Sequence, residues 1–156
     1  MWQRLRRRVE GVRTTLEGSF LMTAITTPVL SDSTDSLLRF ALRADAAIIG
    51  AVGLLGVIAA RPMAALEGLT PAHEYALAAF CVLYGAVVYF LSALPDLRRA
   101  GIAVIAANVV CTVAAIAVVE AGVLPLTGIG VVATLVSAAY TAFIGWVQYR
   151  GLRRLG

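Results

Sequence analysis

Arg39, Arg43 and Asp45 fall in the first third of LLRFALRADAAIIGAVGLLGVIAA, residues 37–60, a run otherwise suited to lipid. An acidic side chain at mid-membrane costs roughly 2.5–3.5 kcal/mol even on the lenient insertion scale, so it must find partners or serve a task. On a helix each residue turns about 100°, which points Asp45 nearly opposite to Arg43 and about 120° from Arg39, too far round for a pair within the helix. Asp45 must therefore look to other helices. Its own side carries Ile49, Gly53 and Gly56, flanked by Ala46 and Gly50. Residues this small let membrane helices approach backbone to backbone.

Three further apolar runs carry similar stripes: Cys81, Tyr84, Gly85, Val88 and Ser92; Asn108, Cys111, Thr112 and Ala115; and Gly130, Thr134, Ser137, Tyr140, Thr141 and Gln148. Counting inward at ~1.5 Å per residue puts Asp45, Tyr89, Asn108 and Thr141 in one layer, on the order of 10 Å deep, with Arg43 and Gln148 slightly shallower. These six residues are the candidate polar interior cluster. Asp45 is expected to accept hydrogen bonds from Asn108 and from a hydroxyl, that of Tyr89 or Thr141. Arg39 and Arg43 either snorkel to lipid phosphates or turn inward. Whether an arginine reaches Asp45 decides whether the carboxylate keeps its charge, and both states stay open. The favoured expectation is a structural clamp that holds helix register. A proton- or ion-handling site on Asp45 is the alternative, and recognition of lipid headgroups by Arg39, Arg43, Arg98 and Arg150 is a third reading.

The elements that must position these groups are membrane spans. With 60% hydrophobic residues in 156, the chain is far more apolar than a soluble domain. Four runs, 37–60, 75–94, 101–121 and 126–148, are each long enough to cross a hydrocarbon core of about 30 Å, for which about 20 helical residues suffice. RPMAALEGLTPAHE, PDLRRAG and AGVLP separate them. Links this short predict an all-α, four-span antiparallel bundle over residues 37–156. In that reading every arginine but Arg61 lies on one side, which predicts cytoplasmic N and C termini in a bacterial plasma membrane.

Ahead of the spans, Trp2, Leu5, Val9, Val12 and Leu16 recur at steps of three and four in MWQRLRRRVEGVRTTLE, so residues 1–18 are expected to form an amphipathic cytoplasmic helix. Arg4, Arg6, Arg7, Arg8 and Arg13 would set it on the anionic inner leaflet or against a partner protein. Residues 19–36 form a linker or interfacial segment, in which Asp35 or Ser36 is placed to cap the first span. The apolar patch is too weak for a signal peptide, and Glu10 and Glu17 interrupt the region. Lipid headgroups or a partner are the expected contacts of Arg39, Arg98, Arg99 and Arg150 as well.

Several chemistries are disfavoured. The net charge of +4 comes from arginines beside apolar runs, where they orient spans, so no nucleic acid partner is expected. Cys81 and Cys111 form no CxxC pair, and one histidine, His73, cannot supply a two-His haem site in a single chain. GAVGLLG lacks both a preceding strand and a lysine, so it is a packing face rather than a phosphate loop. No arrangement of nucleophile, base and oxyanion donors is legible. No cofactor, no metal and no enzymatic activity are expected; the favoured function is an accessory or scaffold subunit that packs against itself or a larger membrane protein.

LLRFALRADA, IAANVV and the closing WVQYRGLRR resemble a group of small four-helix integral membrane proteins of actinobacteria with no assigned activity. The resemblance covers roughly residues 36–155, and its recurring polar residues correspond to Arg43, Asp45, Asn108 and Gln148. It implies the four-span fold and nothing about chemistry. The arginine-rich N-terminal helix does not belong to that group.

Overall fold

The computed structural model describes residues 35–155. The expected amphipathic helix, with Arg4, Arg6, Arg7, Arg8 and Arg13, and nearly all of the 19–36 segment lie outside those residues. The described residues form four helices and no strand: α1 (Ser36–Glu67), α2 (Pro71–Leu91), α3 (Leu97–Ala121) and α4 (Gly128–Leu152). All four are long and apolar enough to cross a membrane.

The helix ends follow local chemistry. Thr70 opens α2 by accepting the His73 N–H, with Pro71 in the first turn, where its missing N–H costs nothing. Thr127 opens α4 in the same way, accepting the Gly130 N–H at 3.1 Å. Gly68 closes α1 with φ +85°, a left-handed conformation that glycine adopts without steric penalty. Asp35 stands at the start of α1, but its carboxylate caps no N–H there; it accepts from Arg39 Nε at 3.0 Å instead.

α1 corrects one expected boundary. The RPMAALE stretch, expected as a link, continues the helix for almost two more turns, with Pro62 inside it. A proline removes one backbone bond but does not end a helix that the following residues favour, and Met63, Ala64, Ala65, Leu66 and Glu67 are all good helix formers. α1 thus reaches ~48 Å at 1.5 Å per residue, well beyond the hydrocarbon thickness.

Packing is unequal along the bundle. α1 lies along α2 and α4, α3 pairs with α4, and α2 hardly meets α3. At the end where α1 begins, Leu38, Leu42, Ala46, Val88, Leu97 and Val104 form a buried apolar cluster, against which Tyr84, Leu91, Leu152 and Leu155 pack. Farther along, small residues take over: Ala60, Ala64, Ala78 and Gly130 are buried. The glycine side of α1 is the one that meets α2. Large apolar side chains instead cover the outside, Ile58 at 82% exposed being the extreme, with Leu83, Val110 and Phe143 comparable on the other helices. Such a contiguous apolar exterior suits hydrocarbon and not water.

Candidate functional site

The polar interior is centred on Asp45, which is 0% exposed. Its Oδ2 accepts from the Tyr84 hydroxyl of α2 at 3.0 Å, from Gln148 Nε2 of α4 at 3.0 Å and, more loosely, from Asn108 Nδ2 of α3 at 3.4 Å. Its Oδ1 accepts from the Tyr140 hydroxyl of α4 at 3.1 Å. Every other helix therefore supplies at least one donor to this one side chain. A cross-link closes the ring: Asn108 Nδ2 donates to Gln148 Oε1 at 3.0 Å, which orients the Gln148 amide so that its NH2 faces Asp45. The Tyr84 hydroxyl also lies 3.2 Å from Asn108 Oδ1, giving one proton a choice of two acceptors.

The electrostatics of the site are those of a carboxyl group held by neutral dipoles. Both ion pairs among the described residues lie elsewhere: Arg39–Asp35 at 2.9 Å and the exposed Arg99–Asp96 at 3.7 Å. Burying an unpaired acid is costly, and multiple hydrogen bonds are the compensation available when no cation is near. Asn108 and Gln148 are themselves almost wholly buried, so each needs its partners as much as Asp45 does.

Of the six residues expected in this cluster, Asp45, Asn108 and Gln148 come together and three do not. Tyr89 is 62% exposed, on the outside of α2. Thr141 shares a 2.7 Å hydrogen bond with Thr112, a separate α3–α4 contact, and Thr112 in turn donates to the Asn108 carbonyl at 2.8 Å. Arg43 is exposed. The residues missed were Tyr84 and Tyr140. The depth count favoured Tyr89, yet Tyr84 and Tyr89 are separated by about 140° around α2, and only Tyr84 shares the stripe of Gly85 and Val88. The long phenol makes up for its greater depth, so the stripe was the better guide.

Arg39 turns inward without reaching Asp45. Its Nη1 donates to the carbonyls of Ser92 at 2.8 Å and Leu94 at 3.3 Å, which lie just past the end of α2. It thereby satisfies carbonyls that the end of α2 leaves without helical partners. Replacing Arg39 with Gln is expected to lower stability by about 1–2 kcal/mol, measured by SDS titration in mixed micelles. Asp35→Asn should cost less, because the carbonyl contacts survive; equal stability of Arg39→Gln and the parent would remove this role. The remaining arginines among the described residues face outward. Arg98 is exposed, Arg99 is held loosely by Asp96, and the Arg150 guanidinium stacks 5.3 Å from the Trp146 ring.

Fold and site together define an all-helical protein with four candidate membrane-spanning helices and a buried carboxyl at their junction. Compared with family models, curated proteins and solved structures, the chain matches none.

Proposed function

We propose that this chain is a non-enzymatic integral membrane protein of the bacterial plasma membrane, an accessory or scaffold subunit that packs against copies of itself or a larger membrane protein. The observation that carries the reading is the closed Asp45 ring. Its carboxyl is saturated by side chains of all three other helices, an arrangement suited to locking register rather than to releasing and rebinding a ligand.

The bundle is antiparallel between successive helices. Supporting this, Gly85 of α2 faces Ala46 and Gly50 of α1 while Gly53 faces the earlier Ala78, and Asn108 and Thr112 of α3 meet Gln148 and Thr141 of α4 in reverse order. The termini are cytoplasmic, because Arg98, Arg99, Arg150, Arg153 and Arg154 then all face the side that the positive-inside rule requires. Those arginines are also the groups that would meet anionic headgroups or a partner.

Two measurements test the proposal. Extracted from native membranes in mild detergent, the protein should run as a defined assembly larger than its 16.4 kDa chain; a homogeneous lone chain would overturn the subunit reading. In reconstituted vesicles, Asp45→Asn should leave proton flux at the parent level. Its amide oxygen can take the place of Oδ2, and its NH2 can donate to the Tyr140 oxygen, so the expected stability loss is only about 1–2 kcal/mol, the value of charge-assisted bonds made neutral. Parent flux that collapses in the variant would establish proton transport through Asp45 instead.

A further inference from the structure

A second acidic group sits at the far end of α1, about 33 Å along the helix from Asp45 at 1.5 Å per residue. Glu67 ends α1, Glu74 lies in the first turn of α2, and the Gly68 turn with the Thr70 cap folds the chain back between them. Their carboxyl groups lie within hydrogen-bonding reach of each other. Glu74 is only 4% exposed, and its Oε1 is buried with no hydrogen-bond partner among the described residues. That contrasts sharply with Asp45, equally buried and met by four donors.

The surrounding structure holds the pair in place. The Thr127 N–H donates to the Glu67 carbonyl at 2.9 Å, and its hydroxyl donates to the Leu66 carbonyl at 2.5 Å. Gly130, with no Cβ, lets the start of α4 press against the Glu67 backbone. Neighbouring charges among the described residues supply no counterion. Arg61 on α1 and Glu120 on α3 are both exposed, His73 on α2 is bonded through Nδ1 to Thr70 Oγ1 at 2.8 Å, and residues 128–140 of α4 carry no ionic side chain. Neither ion pair among the described residues includes Glu67 or Glu74.

Two adjacent carboxyl groups, one with a buried oxygen that meets no donor among the described residues, are stabilised by positive charge held between them, a proton or a cation. Carboxylate oxygens select hard cations. No group of three or more His, Cys, Asp or Glu side chains is gathered among the described residues, so most of the coordination shell must stay water, as Mg2+ and weakly held Ca2+ allow. We propose that Glu67 and Glu74 form a binding site for a hydrated divalent cation of the Ca2+/Mg2+ class, which clips the end of α1 to the start of α2.

The test uses the full chain in detergent, with CaCl2 or MgCl2 titrated against NaCl at matched ionic strength. Thermal unfolding should show saturable stabilisation by the divalent salts alone, half-complete near 10⁻⁴–10⁻³ M, the range of sparse extracellular Ca2+ sites. Equilibrium dialysis with radioactive Ca2+ should give about one ion per chain. Glu74→Gln and the half-buried Glu67→Gln should each weaken the response at least tenfold, while Glu120→Gln leaves it intact. Should one variant fail to fold, the other and the dialysis on the parent still decide. The site is overturned by a parent that responds equally to NaCl, by a divalent response that both variants retain, or by stabilisation on acidification with no divalent dependence, which would make the pair a shared-proton site.

Discussion

Asp45→Ala is expected to be the most damaging single substitution in the described bundle, lowering stability by roughly 2–5 kcal/mol. Two magnitudes bracket this. Hydrogen bonds between membrane helices average about 0.6 kcal/mol in double-mutant cycles, so four of them set the lower value. Donors left buried without an acceptor cost about 1–3 kcal/mol each before relaxation, which sets the upper. Tyr84→Phe and Tyr140→Phe remove one donor apiece from an acceptor that keeps three, so each should cost about 0.5–1.5 kcal/mol. Tyr89→Phe, on the exposed side of α2, should stay within about 0.5 kcal/mol of the parent. SDS titration in mixed micelles ranks the series. A double-mutant cycle between Asp45→Asn and Tyr84→Phe should then show coupling that one between Asp45→Asn and Tyr89→Phe lacks. Equal effects of Tyr84→Phe and Tyr89→Phe would mean that Asp45 is not held as described.

The other large effect is expected at Gly85. A Cβ there would stand 2.8 Å from the Ala46 carbonyl oxygen and 2.9 Å from Gly50 N and Cα. These neighbours are backbone atoms, which cannot rotate aside, so Gly85→Val must push α1 and α2 apart. Overpacking of this kind costs about 1–3 kcal/mol and more where nothing can yield; about 2–4 kcal/mol is expected here. The damage should spread, because Tyr84 is the adjacent residue and would withdraw from Asp45 with α2. Combining Gly85→Val with Tyr84→Phe should therefore cost less than the sum of the two. Gly50→Ala is the control within the same seam: its Cβ would meet nothing within 4 Å, and removing a helical glycine should be neutral or stabilising by up to about 1 kcal/mol. A Gly85→Val protein as stable as Gly50→Ala would mean that the helices do not approach so closely.

The face assignments needed only angular arithmetic. Asp45 lies opposite Arg43 on any helix, so one of the two must turn outward, and the glycines beside Asp45 indicated which. Depth was harder to read, because it was counted from assumed span ends. α2 and α4 do not start or stop where hydropathy alone placed them, α4 beginning at Gly128 and running to Leu152. Counting also treats side chains as points, whereas a tyrosine hydroxyl reaches well over one helical rise beyond its Cα. That is why Asn108 was legible as a partner of Asp45 and Gln148 as a neighbour in the same cluster, whereas Tyr84 and Tyr140 were not.

Composition and periodicity sufficed for four long apolar helices and for a side of α1 lined by Asp45 and glycine, because length and angular position are properties of each segment by itself. Which hydroxyls close around Asp45, where Arg39 spends its guanidinium, and the meeting of Glu67 with Glu74 were decided only when the segments packed. Those contacts depend on the relative height of neighbouring helices and on a left-handed glycine turn, and no single segment encodes its height relative to another.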